Sequence, residues 1–473
     1  MEKADHDDLS SMMLSLSAYE DVPEDMKCLW EQQKKMIKTK KNGYRWHPKL
    51  HKNKIREKVG WNDQMIQWCL DQAIAKEFND TDYWGGFALD EMKIQENIEM
   101  TFEEGKHKLV GLVDLGKGHD AMRTLAGACD EPELATQVLQ FVFLSDRGLR
   151  FPIAQFPSGN CTPSDIYFLF WEGVLKMQEY GFVVYWCVLD GAECNRQFIK
   201  MHFKGNFVEK KFVTCNIYTG KPMIFIMDPK HNIKKLQNNI LKSNSSGKPR
   251  CLILNGKVIT WHQFKAAFQW DQDSFSLPLH EKLTLEHFEL DSAAKMRNHL
   301  AEDVLHNKML FLMQKYQQHL DAIGNYGSTV VSAISLLEHT SAIVSLFNDK
   351  MFINSTNDER LTKLQKFYNV IAEWTDNCKE SKTSFVSDKL WFDLQSMCIG
   401  FKSLVSIKLQ NFPNSVVKPA IVNQDCVENH FCQVRASNGQ NNNPTFLQQQ
   451  SVQNSVRFGQ TVISRKSNAG KPR

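Results

Sequence analysis

The chain has 473 residues, with 57 Lys and Arg against 54 Asp and Glu, and 42% of its residues are hydrophobic. At roughly 150 residues per domain, that length predicts two or three domains with ample apolar mass for more than one core. A net charge of +3 excludes a histone-like polycation and an acidic solvating protein, although a local basic patch can still bind nucleic acid inside a neutral total.

In chain order, residues 1–33 are acidic and poor in core formers, and disorder is expected there. They lack the apolar stretch of a signal peptide. The longest apolar runs, such as 182–189, are too short to span a membrane. A soluble intracellular protein with no membrane partner is expected. The twelve cysteines include no C-x-x-C pair, and structural zinc generally relies on such pairs, so reduced thiols are predicted. From residue 34 the charge reverses. Lys34, Lys35, Lys38, Lys40, Lys41 and Arg45 open a basic helical or linker segment over 34–82, with Tyr44, Trp46 and His47 interleaved. Cations suit a DNA phosphate backbone and aromatics suit stacked bases; a solvated charged linker has the same composition.

Beyond residue 83 the apolar pattern is that of strands. W-G-G-F-A-L-D (84–90) predicts the first, L-V-G-L-V-D-L (109–115) the second and Q-V-L-Q-F-V-F-L (137–144) the third, with 151–156 as its extension past a turn. Thr162 and Pro163 then form a helix start, as N-cap and first helical residue. Ile166, Leu169, Phe170, Val174 and Met177 continue at helical spacing. Residues 182–189 are apolar on both faces and predict a central fourth strand. A short helix near 193–201 and a fifth strand over 223–227 follow. That strand ends at Asp228-Pro229, which can cap a basic helix through Lys234 and Lys235. Three consecutive strands, then helix, strand, helix, strand, helix, is the order of an RNase H-like α/β domain: a mixed sheet flanked by helices. The loop 244–249 marks a boundary, and the long amphipathic runs 293–320 and 327–347 predict a helical module. The tail, rich in Asn and Gln, is expected to be disordered over 448–473.

Asp90 and Asp190 close the first and fourth strands. A carboxylate at a buried strand end is unfavourable unless something cationic neutralises it. Two on neighbouring strands repel, and a divalent metal relieves that repulsion. One such Asp more often caps the next turn; two, on these strands, point to two-metal phosphoryl chemistry. A third acid would come from a later helix. Asp425 and Glu428 stand three apart and share a helix face, but the residues alone do not choose Glu428 over Glu373 or Glu380. His231 and Lys234 are placed to touch phosphate, while Asp228 serves equally well as a helix cap.

Several segments resemble the P-element transposase family, including its THAP-domain transposase relatives: F-A-L-D-E-M-K-I (87–94), L-V-G-L-V-D-L-G (109–116), L-D-G-A-E-C-N-R-Q-F (189–198), M-D-P-K-H-N-I-K-K-L (227–236) and N-Q-D-C-V-E-N-H-F (423–431). The resemblance implies an RNase H-like domain over 83–243 and 423–447, interrupted by a large all-helical, GTP-binding-type insertion over 244–422. It implies a D-D-E set of Asp90, Asp190 and Glu428 that holds Mg²⁺ or Mn²⁺ and cuts and joins DNA in the nucleus, typically as a homo-oligomer. It also implies that Asn354 and Asp425 bind GTP.

Three features depart from the family. The zinc module at the N-terminus is missing, the chain passes from R-W-H-P-K-L (45–50) straight into 51–61 without a helix-turn-helix, and Met351 stands where the family tends to have an Asp. Three functions therefore stay open. These are a transposase or domesticated derivative, an inactive nuclear DNA- or protein-binding factor with the same fold, and a guanine-nucleotide-binding module.

Overall fold

The computed structural model describes residues 58–463, except 104, 126, 128–131, 204–211, 244–249, 293, 379–382, 440 and 442. The acidic N-terminus, the cations Lys34, Lys35, Lys38, Lys40, Lys41 and Arg45, the family motif 45–50 and the loop 244–249 lie outside the described residues.

Along the chain, β1 (Gly60–Trp61) and α1 (Asp63–Ala75) precede the long strand β2 (Trp84–Lys93). A two-stranded ribbon follows, β3 (Glu99–Glu103) and β4 (Lys106–Val110), then α2 (Lys117–Leu125). Next come β5 (Gln137–Ser145), β6 (Arg150–Ser158), α3 (Pro163–Glu179), β7 (Val183–Leu189) and α4 (Glu193–Met201). β8 (Val213–Cys215), β9 (Pro222–Met227) and α5 (Pro229–Leu241) complete this part. The sheet order is β1-β6-β5-β2-β7-β9-β8; β2, β7 and β9 run parallel, and their other neighbours pair antiparallel. This is the mixed, helix-flanked sheet that the element order predicts.

The insertion begins with a short hairpin, β10 (Ile253–Leu254) and β11 (Lys257–Val258), so it is not wholly helical. Helices α6 (Trp261–Ser274), α7 (Asn298–Leu305), α8 (Asn307–Gly324), α9 (Val331–Asn348), α10 (Glu359–Asn377) and α11 (Asp388–Asn411) follow. The single run expected over 293–320 breaks at His306, whose extended backbone (φ −92°, ψ 170°) separates α7 from α8. α12 (Asp425–Ser437) and α13 (Phe446–Ile463) are the last of the described elements. Among the described residues, no helix is long and apolar enough to cross a membrane.

Strand alternation divides the core into two layers. Phe87 and Leu89 on β2, Phe141 and Phe143 on β5, and Cys187 and Leu189 on β7 face α1, α3 and α4. Ala88 and Met92, Val142, Val188 and Ile226 face the opposite way, into a core shared with α5, α11 and α12. The insertion is therefore built onto the sheet: Ser396 on α11 accepts from Met227 N and donates to Phe225 O, both at 3.1 Å, across β9.

Three further expectations are corrected. Residues 109–115 are not a strand of the main sheet. Leu109 and Val110 end the β3–β4 ribbon, and Gly111 turns the chain with φ +106°. The third strand of the meander is β6, which was expected only as an extension. A Cβ on Gly111 would collide with the Asn97 carbonyl. Gly111→Ala is thus expected to destabilise the protein by about 1–3 kcal/mol, read from denaturant unfolding. Second, the fold begins before residue 83. β1 pairs with β6, and the Trp61 ring lies 4.9 Å from Phe141 and 5.7 Å from Phe156. Third, the tail expected to be disordered from 448 forms α13. Phe446, Gln449, Gln453 and Val456 fall on one buried face, and Gln453 donates to Gln155 on β6 at 3.3 Å. Composition misses this helix because half of its core face is glutamine.

Candidate active site

Asp90, Asp190 and Asp228 come together because of strand parity. Alternate residues of a strand share a face, so Asp90 lies with Ala88 and Met92, Asp190 with Val188, and Asp228 with Ile226. Asp190 and Asp228 sit just past the C-terminal ends of β7 and β9. Asp90 does not close its strand as expected, because β2 runs on to Lys93 in its pairing with β5. It lies just beyond the last β2–β7 pair, on the same side, covered by α5 and α12. Ala88 lies opposite Val188 in the ladder, and that register carried two residues on brings Asp90 beside Asp190. The Asp228 N–H donates to Leu189 O at 2.8 Å, tying the end of β9 to the end of β7.

Glu428 arrives from the first turn of α12. Gln424, immediately before that helix, donates its side-chain amide to Leu89 O and its backbone N–H to Asp228 Oδ2 at 3.3 Å. One residue thus fixes the helix start against both β2 and the end of β9. Glu428 Oε1 lies 3.3 Å from His231 Nε2, and Oε2 accepts from Asn298 Nδ2 at 3.2 Å. His231 faces Asp228 with its other nitrogen, Nδ1 to Oδ2 at 2.8 Å, so a single imidazole bridges two acids. Lys234, 6% exposed, donates to Met296 O at 3.3 Å and stays near enough to Glu428 to act on its charge.

The charges are not balanced. Burial, then the neighbouring Asp190, pushes the Asp90 carboxyl up to about 7. Burial likewise raises Glu428, against the opposing pull of His231. Asp228 behaves differently. Burial would raise it, but His231 and the N–H groups of Lys230 and Gln424 hold it below the usual carboxylate range. Despite burial, which opposes its charge, Asp228 raises His231. Asp90 Oδ1 accepts from Glu91 N, and Asp190 Oδ1 accepts from Ala192 N and Asn195 Nδ2. Among the described residues, no hydrogen bond reaches Oδ2 of either Asp. No three His, Cys or acidic side chains among those residues are gathered tightly enough to form a metal cage as they stand.

The nucleotide residues fare differently. Asn354 is exposed in the turn before α10, and Asp425 Oδ2 is held by Lys230 Nζ at 2.6 Å. No hydrogen bond or ion pair among the described residues links the two. A cavity of about 430 Å³ between α8, α9 and α10 is lined by Asp349, Arg360, Lys363 and Lys366, and by neither Asn354 nor Asp425. The ten described cysteines are all free thiols.

Sequence reasoning took Asp228 as a helix cap, which it is, through Lys230 N at 2.7 Å. It missed that Asp228 also orients His231. The signal was present: M-I-F-I-M-D repeats the buried-strand-then-acid pattern of V-L-D. Asn298 carried no signal, since its role depends on where α7 packs.

Two family models match: the TNP-like RNase H N-terminal domain over residues 57–202 and the TNP-like RNase H C-terminal domain over 421–452. No curated protein matches. Among solved structures, the Drosophila P element transposase strand transfer complex is similar, with a TM-score of 0.64 and 16% identity, covering 99% of this chain and 93% of that one.

Proposed function

We propose that this chain, which matches TNP-like RNase H domain models over residues 57–202 and 421–452 and is similar in fold to a P element transposase, is a transposase-like protein that cuts and joins DNA phosphodiesters at Asp90, Asp190 and Glu428. The supporting observation is the pair of carboxylates on one face of neighbouring strands, Asp90 just past the last β2–β7 pair and Asp190 past the end of β7, with Asp90 pushed up to about 7 by burial and by Asp190. Their donor oxygens suit Mg²⁺ or Mn²⁺, hard cations that take carboxylate ligands. Bound there, divalent ions would activate the attacking water and stabilise the departing 3′ oxygen. The residues themselves supply the frame. Asp90 and Asp190 each offer an Oδ2 without a hydrogen bond, and Glu428 gives up His231 and Asn298 to join them. His231, whose charged form Asp228 favours, and Lys234 would then face phosphate. In cleavage, the water oxygen bonds to phosphorus, the bond to O3′ breaks, and the freed 3′-OH can attack a second strand.

Working on chromosomal DNA, the protein would act in the nucleus.

Calorimetry with Mn²⁺ tests the site directly. The parent is expected to bind, and Asp90→Ala and Asp190→Ala are each expected to lose at least about a hundredfold in affinity, more than the 10–100-fold typical of outer-shell changes. Plasmid nicking with Mg²⁺ or Mn²⁺ should disappear with them. Heats unchanged in both variants would favour the other reading, an inactive factor that retains the fold.

A further inference from the structure

Besides Asn298 and Ser396, the insertion sends one buried carboxylate toward the acid-bearing strands. Asp393 on α11 is fully buried. Its Oδ1 accepts from Arg196 Nε at 2.8 Å, and its Oδ2 accepts from Arg196 Nη2 at 2.8 Å and Lys235 Nζ at 2.9 Å. Its backbone carbonyl accepts from Asn232 Nδ2 at 3.1 Å. Arg196 lies on α4, the helix that follows Asp190, and Lys235 and Asn232 lie on α5, the helix that follows Asp228. A single carboxylate therefore holds both helices that lead out of the acid-bearing strand ends.

The position of this triad is informative. Gly191, the residue after Asp190, lies directly against it: a Cβ there would run into Lys235 Nζ, Asp393 Oδ2 and Arg196 Nη2. The turn that orients Asp190, through Ala192 N and Asn195 Nδ2, thus rests on the Arg196–Asp393–Lys235 cluster. Fold stability is a poor reason for such a cluster, because desolvating three charges offsets much of their attraction, and apolar packing of the same volume often does as well. A bidentate Arg–carboxylate pair does, however, fix geometry.

We infer that Asp393 is a positioning residue: from within the insertion it sets where the Asp190 turn stands relative to Asp90 and Asp228. The inference rests on the proposed nuclease reading for its purpose, but not for its geometry. It makes the insertion a working part of the acid site, so that any change in how α11 packs is transmitted to Asp190.

The test compares the full chain with Asp393→Asn, which keeps shape and removes charge, and with Lys235→Met, which removes only the 29%-exposed lysine and leaves the Arg196 pair. The first readout needs no metal: amide exchange of the 189–196 segment is expected to speed up about tenfold in Asp393→Asn while exchange in β2 and β5 stays unchanged. The second is Mn²⁺ affinity, expected to fall about tenfold, as outer-shell changes do. The third is DNA nicking, with kcat reduced and KM held within about twofold. Lys235→Met should move the same readouts by less, and it decides the matter if Asp393→Asn fails to fold. Unchanged exchange and unchanged Mn²⁺ affinity in the folded variants would overturn the inference. A parent that binds no Mn²⁺ overturns the nuclease reading instead, and the exchange readout still judges Asp393.

Discussion

Asp90→Asn is expected to be more stable than the parent at pH 8 without metal, and to cleave no DNA. The Asp90 carboxyl sits at about 7 in the folded protein against an ordinary 3.8. Between those values the folded state holds a proton that the unfolded chain has released. Stability from this group is therefore greatest at low pH, falls as pH rises from about 4 to 7, and is fully lost above 7. Burial and Asp190 are the main causes; Glu428 adds to them, while His231 and the Glu91 N–H oppose them. Asn keeps an acceptor for that N–H and carries no charge, so the gain at pH 8 is on the order of 2–4 kcal/mol. Guanidinium unfolding at pH 5 and pH 8 measures it. The parent should lose stability across that interval relative to the variant. For the same reason, Mn²⁺ should stabilise the parent more at pH 8 than at pH 5. Equal stability of parent and variant at pH 8 would remove the electrostatic basis of the site.

Such a trade of stability for function explains what could be read from the chain in advance. Asp90 and Asp190 were legible because an acid after a buried apolar run breaks a local pattern, and the strand order then makes them neighbours. Glu428 was not legible from pattern. Its place depends on Gln424 meeting Leu89 O, a contact 335 residues apart in sequence. The misread 109–115 segment shows the same limit at short range. L-V-G-L-V looks like a strand, but one glycine with positive φ ends the ribbon there and turns the chain. The last helix shows it for composition, because Gln449 and Gln453 are core residues of α13 although glutamine-rich tails are usually solvated. Asp393 escaped notice for a related reason. An acid in the middle of an amphipathic helix looks like part of its wet face until Arg196 and Lys235 are placed against it.

The second large effect concerns Asp228. Asp228→Ala is expected to cost about 3–5 kcal/mol at pH 6, because it removes one partner of a buried ion pair and leaves His231 either charged without that partner or forced to give up its proton. Asp228 is 1% exposed and His231 15%. The same change strips the acceptor from Lys230 N at the start of α5 and from Gln424 N at the start of α12, with about 1 kcal/mol for a lost cap included. The pH dependence follows from the imidazole. His231 is raised above its ordinary 6.5 in the fold, so the stability it brings is complete below 6.5 and fades as pH rises through the raised value. Asp228, Glu428 and Lys234 are the charged groups that act on it, and with Asp228 gone the raise largely vanishes. The penalty should therefore be largest near pH 6 and shrink toward the cap and backbone loss alone once pH has risen through the raised His231 value. Asp228→Asn, which keeps an Oδ1 acceptor for Lys230 N but turns Oδ2, the acceptor for Gln424 N, into an amide NH2, should show the pH-dependent part together with the loss of that one hydrogen bond. Urea unfolding of the three proteins at pH 6 and pH 9 separates the contributions. A penalty of the same size at both pH values would mean that His231 is neutral in the fold, and that Glu428 is held by a hydrogen bond alone.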